Sequence, residues 1–504
     1  MYRHVWCCLL GCLFACSSAS RLPAAQGELE LTVIDESTGE PTAAQILLEN
    51  QRGKPVHPPK LTKDGLWNSF DGTTVLRLPP GNYTFRLQRG AEFKERSGQF
   101  SLRSGAADHQ EVTLPRFVSM SAEGWWAGDP AFQPRAAAGI AERLLAADLH
   151  FLAAATQRNG SQLAVPARYA DQVNQAIGAT RHIHWQTGCD RRPMGTLWLL
   201  PDLTHAADLQ IPRSTSVTPS SHSIAAAVRA AGGVVHLDRV TNWAAPLWVA
   251  LGSVDTVGVL HGGLIEHGGG QRDTDRPFDS VFFPGPHGPG RWAQHVYFQF
   301  LEAGIRLAPA AGSDADVSGN RLGFHRTYAH CGDTYSPAHW LAALREGRTV
   351  LTNGPLLRPT VNGQLPGHTF RAESGEKLSL EVALSLSTAQ PIQYLEIIQN
   401  GRSVQQVRLQ DWAAAGGRLP AVEFDASGWL LIRAVADDEA TYRCAMSAPF
   451  YVEFAGQPRR SKQATTFILE WLDDFARRFP KFDDGELKTA RLFWEQQAAD
   501  ANPD

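Results

Sequence analysis

Three stretches of the chain carry residue types whose spacing suits chemistry. Residues 305–311 read as a buried strand that opens at Gly312-Ser313-Asp314, leaving a carboxylate at a strand's carboxyl end, the rim where α/β barrels place their active groups. His182-Ile183-His184 puts two imidazoles on one face of an extended segment, a spacing that fits a divalent metal and equally a solvated edge. His267-Gly268-Gly269-Gly270 has the composition of an oxyanion loop. Esterase chemistry of that kind also needs a Gly-x-Ser-x-Gly elbow, and the sequence has none. A phosphate loop with Lys and Ser/Thr is missing as well, which leaves nucleotide hydrolysis without support. Cys331 follows His330, but neighbours in sequence are not a dyad, and the thiol reads as inert.

The elements that must position these residues follow from hydrophobic periodicity. From Trp125 onward, strand-length apolar runs at 150–155, 196–200, 233–237, 254–260, 306–311 and 349–352 alternate with helix-length segments. The helical patterns fall at 140–147, 223–231, 292–303 and 337–346. That alternation predicts a parallel α/β arrangement of barrel length, with 272–290, rich in Pro, Gly and Asp, as a long rim loop. Ahead of it, short alternating runs at 28–34, 44–48, 74–78, 83–87, 99–102 and 110–114 predict an antiparallel sandwich. Behind it, runs at 378–384, 392–399, 404–408 and 428–435, with Asn400-Gly401 as a hairpin signal, predict a second sandwich to about Phe454. Phe467, Trp471 and Phe475 recur four apart in an amphipathic helix that Pro480 stops. Residues 486–499 form a second helix, and both are expected to pack back on the body.

Composition narrows the function classes. A chain of 504 residues with 43% hydrophobic and 19% charged content is globular and too long for one core, so two to four domains are expected. The net charge is −4, and removing the two arginines of residues 1–26 leaves −6; with no basic run visible, nucleic acid is not an expected partner. Arg3, the apolar run 5–15 and Ser18-Ala19-Ser20 have the pattern of a secretory signal peptide, too short to span a bilayer. Leu13-Phe14-Ala15-Cys16 also resembles a lipobox, so a lipid anchor on Cys16 and simple cleavage both stay open. Beyond the leader only Cys189, Cys331 and Cys444 remain, an odd number with no CxxC pair, so neither a disulfide framework nor a zinc-thiolate site is indicated.

Two resemblances then appear. Val33-Ile34-Asp35, Thr38-Gly39-Glu40-Pro41 and Leu78-Pro79-Pro80-Gly81-Asn82-Tyr83 resemble the carboxypeptidase-regulatory, transthyretin-like module, an accessory without chemistry of its own. A longer set comprises Gly124-Trp125-Trp126-Ala127-Gly128-Asp129, Ala147-Asp148-Leu149-His150, Gly232-Gly233-Val234-Val235-His236-Leu237-Asp238, Gly312-Ser313-Asp314, Arg326-Thr327-Tyr328 and Val350-Leu351-Thr352-Asn353-Gly354-Pro355. In this order they resemble the CehA/McbA group of metallohydrolases, within the polymerase-and-histidinol-phosphatase (PHP) superfamily, from roughly Trp125 to Gly367. The resemblance implies a distorted barrel of about seven strands with zinc, manganese or iron at its rim, generating hydroxide for attack on an ester or phosphoester.

The ligand positions depart from that family. Its Gly-Asp-x-His-x-His segment stands here as Gly128-Asp129-Pro130-Ala131-Phe132-Gln133, and its acidic Glu-Asp-Glu-Arg-like segment as Cys189-Asp190-Arg191-Arg192. The Asn-Asn-His-like strand end is His261-Gly262-Gly263, and the closing Gly-Ser-Asp-x-His is Gly312-Ser313-Asp314-Ala315-Asp316. The resemblance leaves His236 and Asp314 as ligands, Asp316 as a substitute, and His182 or His184 if the register is loose. Two or three ligands do not hold a metal cluster. His236 is either a retained ligand or a core histidine, and Asp314 either a ligand or a cap on its own loop. His150, inside an apolar run, reads as core.

The expected organisation is therefore a multidomain α/β and β protein. Residues 1–26 are a signal peptide, 27–116 a regulatory-like sandwich, 117–357 a PHP-type distorted (β/α)7 barrel, 358–456 a second sandwich and 457–504 a helical tail. The functional expectation is an exported protein, periplasmic, cell-surface or secreted, whose barrel has lost hydrolysis. It would then need no cofactor and would serve as a binding or scaffold element for a small-molecule, glycan or envelope partner. One alternative is a working metal-dependent hydrolase using His182, His184, His236, Asp314 and Asp316 with zinc, manganese or iron. Another is a carbohydrate or cell-wall binder, with Trp125, Trp126 and Trp185 stacking on sugar rings.

Overall fold

Along Gly27–Asp35 buried and more exposed residues alternate strictly, so one face of the strand must meet a second layer. That layer is present in the computed structural model, which describes residues 26–163, 174–201, 209, 211–216, 218–266 and 273–501. The leader with Cys16 and the run at 267–270 lie outside the described residues. Among those described, the protein is mostly β, built of several sheets with eight α-helices, a multidomain α/β and β protein. No helix among them is long and apolar enough to cross a membrane.

In the N-terminal part, Gly27–Asp35 lies between Thr73–Leu78, antiparallel, and Ala107–Leu114, parallel. A five-stranded sheet centred on Ala44–Asn50 faces it, and Val33, Leu48, Leu76, Leu87 and Leu114 fill the space between. The hairpin Thr62–Asp64 and Trp67–Phe70 extends that sheet. Its short strands, interrupted by Asp64-Gly65, gave no alternation to read in the sequence.

The central part begins with three parallel strands, Trp125–Phe132, Phe151–Arg158 and His182–Arg192. A second parallel set follows, Val234–Leu237, Thr256–Leu260 and Ala308–Ala311. Between the sets Gly195–Leu200 runs antiparallel to both neighbours, which departs from the all-parallel expectation. The reason is local: only Pro193-Met194 separate it from Arg192, too few residues for a crossover, so the chain can only turn back as a hairpin. Arg326–His330 pairs antiparallel with Trp125–Phe132 and with Thr349–Thr352, and the strands of this large sheet close on themselves. A Cβ at Gly258 would collide with the Asp238 carbonyl oxygen, so this strand crossing requires glycine.

The C-terminal strands do not stand apart from the central ones. Thr349–Thr352 pairs with Cys444–Ser447, so the ladder crosses residue 357, while Leu356–Val361, Leu378–Ser387 and Arg418–Phe424 form a separate three-stranded sheet. The helix Lys462–Arg478, capped by Ser461, and the helix Asp484–Ala499 pack on the body: the rings of Trp471 and Trp494 lie 6.2 and 6.1 Å from Phe300. The Trp494 indole donates to the Pro246 carbonyl at 2.9 Å.

Arginine–carboxylate pairs join the N-terminal sandwich to the central strands. Arg143, on the helix Ile140–Ala146 and 4% exposed, donates to Asp64 at 2.6 Å and to Asp316 at 3.0 Å, its guanidinium 4.8 Å from the Phe132 ring centre. Asp148 faces Arg181 at 2.5 Å, Arg116 at 3.3 Å and Arg89 at 3.4 Å. Burial opposes its ionisation, but the charges of Arg181, Arg89 and Arg116 overcome that and hold the carboxyl below the usual range.

Candidate functional site

The carboxyl ends of the parallel strands converge on Asp129, Ala131, Arg191, Asp238, Ser313 and Asp314. Strand pairing fixes the layers beneath. Cys189 pairs with Trp198, Trp198 with His236, His236 with Thr256 and Thr256 with Ala308, so these five side chains form one row across the sheet. His236 is fully buried; its Nδ1 is 2.9 Å from the Thr256 hydroxyl, and its Nε2 has no hydrogen-bond partner. Burial lowers the imidazole to about 4, with Asp238 pulling the other way, so the ring is neutral at neutral pH. Trp198, Phe151, Trp340, Ala131 and Cys189 belong to one buried apolar cluster, with the Phe151 and Trp340 rings stacked at 4.4 Å.

One layer outward, Asp314 is fully buried at φ 44°, a left-handed conformation that Asp tolerates. Its N–H donates to the Ala131 carbonyl at 2.9 Å. Its carboxylate accepts from the Arg191 guanidinium at 3.0 Å, and the same Arg191 nitrogen lies 3.4 Å from Gln133 Oε1, which also meets the Cys189 thiol at 3.5 Å. Asp238 accepts from the Trp198 indole at 2.9 Å and from Arg239 at 3.2 Å, and Arg239 also donates to Asp275 at 2.8 Å. Burial would raise Asp238, yet the nearby Arg239 and Arg191 charges keep it lowered. Two of the carboxylates at this rim, Asp314 and Asp238, are thus matched by guanidinium groups.

The five sequence candidates do not come together. Asp316, also left-handed at φ 68°, accepts from Arg143 and from the Arg135 N–H, both at 3.0 Å, which ties its loop to the neighbouring helix. His182 pairs in register with Phe151 at the amino end of the sheet, its ring 5.7 Å from Tyr335. It lies nine positions before Arg191 on the same strand, roughly 30 Å away at about 3.3 Å per residue. His184 is level with Ala153 and fully buried, its ring 6.3 Å from Phe151. Among the described residues, no three His, Cys, Asp or Glu side chains are placed to hold a metal ion. Arg191 on Asp314, and Ala131 and Gln133 at the positions where imidazoles were expected, make this donor set a poor fit to a dication cluster.

Sequence reasoning passed over Asp129 as a site group. It is fully buried and accepts from the Ala131 N–H at 3.0 Å, the Ser313 N–H at 3.2 Å and the Ser313 hydroxyl. Burial pushes the carboxyl up to about 7 in spite of these bonds. With the folded value raised above the unfolded one, its contribution to stability is complete below about pH 4 and lost as pH rises through about 7. Asp129→Asn is therefore expected to be less destabilising at pH 8 than at pH 5, by more than about 1.4 kcal/mol, the equivalent of one pKa unit. Urea unfolding at the two pH values checks this; an equal loss at both would mean that Asp129 ionises normally.

Nucleophiles are ill placed for substrate. Ser313 is fully buried and donates to Asp129, while burial raises the Cys189 and Cys331 thiols to about 12. Trp125, Trp126 and Trp185 are 3%, 7% and 2% exposed, so none offers a free ring face for a sugar. His150 is buried against the Trp126 ring at 4.8 Å, a core position as expected.

No family model matches the chain, and no curated protein is significantly similar to it. Among solved structures, 21% of the chain is similar to 18% of the Bacillus anthracis TIE protein, at 20% identity and a TM-score of 0.16. A further likeness, over 19% of the chain and 48% of the other, is to the minor pilin GBS52 of Streptococcus agalactiae, at 16% identity and a TM-score of 0.16. A third covers 18% of the chain and 30% of the Bacillus cereus major pilin BcpA, at 14% identity and a TM-score of 0.15. The chain spans less than half the length of each, and scores this low bear on neither fold nor function.

Proposed function

We propose that this chain is an exported relative of the PHP metallohydrolases whose barrel, over residues 117–357, has lost metal-dependent hydrolysis and serves as a binding or scaffold element at the cell envelope. The observation that carries the reading is the Arg191 guanidinium 3.0 Å from the Asp314 carboxylate. A dication bound to that carboxylate would sit about 2.0–2.2 Å from its oxygen and would have to share the group with the Arg191 charge, which repels it. The guanidinium supplies the positive charge that a buried carboxylate requires, and Ala131 fills the adjoining space, since a Cβ on Gly312 would meet its methyl at 2.5 Å. The closed circuit of strands and the order of the sequence motifs support the PHP-type barrel.

One observation favours the working-hydrolase alternative: the neutral, unpartnered Nε2 of His236 is chemically able to accept a metal. Elemental analysis of the purified protein after exposure to zinc, manganese and iron separates the two. The expected result is well below one ion per chain, unchanged in His236→Ala. Stoichiometric metal that disappears in His236→Ala would establish the hydrolase reading instead.

A further inference from the structure

A second concave surface lies outside the strand-end cluster, between the N-terminal sandwich, the segment leading into Arg326–His330, and the C-terminal strands. Its cleft of about 410 Å³ is lined by five cations, Arg86, Lys94, Arg321, Arg326 and Arg443, and by one acid, Glu95. Glu95 is taken by Arg86 in a bidentate pair at 2.8 Å. Two further acids stand behind the lining: Glu266, 3.3 Å from Arg321 and 3.9 Å from Arg443, and Asp438, 2.9 Å from Arg443. Five cations against three carboxylates leave two positive charges uncompensated among the described residues.

Those two belong to Lys94 and Arg326, neither of which has an acidic partner among the described residues. Lys94 is exposed at the mouth. Arg326 is 4% exposed; its Nε donates to the Gly323 carbonyl at 2.8 Å, and its Nη1 has no hydrogen-bond partner. That nitrogen is shut off from solvent, so Arg326 acts on the cleft through its charge; buried charges are ordinarily paired, and an uncompensated one beside an open cleft favours an anion there. Burial, helped by the Arg443 and Arg326 charges, lowers the pKa of Arg321, as cations crowded around a shared space should.

We propose that this cleft binds a small molecule bearing an oxyanion, a phosphate, sulfate or carboxylate group, drawn in by the uncompensated charge of Lys94 and Arg326 and contacted by Lys94 and Arg443. The site is independent of the barrel's chemistry: metal at the strand ends would leave it standing, and its failure would leave the loss of hydrolysis untouched.

Titration calorimetry of the full chain with inorganic phosphate, sulfate and citrate, at ionic strength held constant with chloride, tests it and separates tetrahedral from planar anions. At least one probe is expected to saturate a single site and to raise the melting temperature. Arg326→Gln, checked for folding by circular dichroism, and Lys94→Glu, at an exposed position that leaves the fold intact, should each weaken binding at least about tenfold. The proposal is overturned if no probe saturates, if chloride competes equally well, or if Lys94→Glu binds as the parent does.

Discussion

Arg143→Ala is expected to lower the unfolding free energy by roughly 3–5 kcal/mol, the usual loss when one partner of a buried ion pair is removed. Asp64 is fully buried and would keep only the Gln45 amide at 2.9 Å, the Leu322 N–H at 2.8 Å and the Ser69 hydroxyl at 3.5 Å to face its charge. Asp316 would retain the Arg135 backbone N–H but lose the guanidinium on its carboxylate. Arg143→Lys should recover only part of the loss, because a single ammonium cannot bridge two carboxylates as the planar fork does. Replacing both buried charges, with Arg143→Met and Asp64→Asn together, should be milder than Arg143→Ala alone. Urea unfolding followed by tryptophan fluorescence measures all three; a loss below about 1 kcal/mol for Arg143→Ala would mean that water already reaches Asp64.

Trp198→Ala carries the second large effect, again roughly 3–5 kcal/mol, as for other large-to-small changes in a packed interior. The indole is fully buried in the row that includes His236, and its N–H donates to Asp238. Trp198→Phe keeps most of the volume and removes the donor, so a loss nearer 1–3 kcal/mol is expected. Equal losses for the two variants would assign the whole effect to the hydrogen bond and none to filling the barrel.

Much of the framework is legible in the sequence. Val234–Leu237, Thr256–Leu260, Ala308–Ala311 and Pro337–Arg345 lie within two residues of where apolar runs and breaker residues put them. The helix Gly288–Glu302 starts four residues earlier than expected, because Gly288-Pro289-Gly290 reads as loop although proline suits a helix's first turn. The short helix Leu409–Ala414 leaves no mark in the sequence, since six residues make too weak a periodic signal. The rim was less legible. Arg191 and Asp314 are 123 positions apart, and no local pattern announces that they meet. One clue was available: in a strand of period two, Asp190 and Arg192 share a face and bond each other at 2.9 Å, which turns Arg191 the opposite way, alongside Cys189. Asp316 could not be told from a ligand by sequence, because an acid two positions past Asp314 looks the same whether a metal or Arg143 receives it.

The pairing of Thr349–Thr352 with Cys444–Ser447 sets a timetable for synthesis. When Thr352 leaves the ribosome, this strand has Arg326–His330 on one flank and bare amides and carbonyls on the other until about 95 more residues are made. At translation rates of about 5–20 residues per second, that edge stays open for roughly 5–20 s, long enough to pair with another nascent chain.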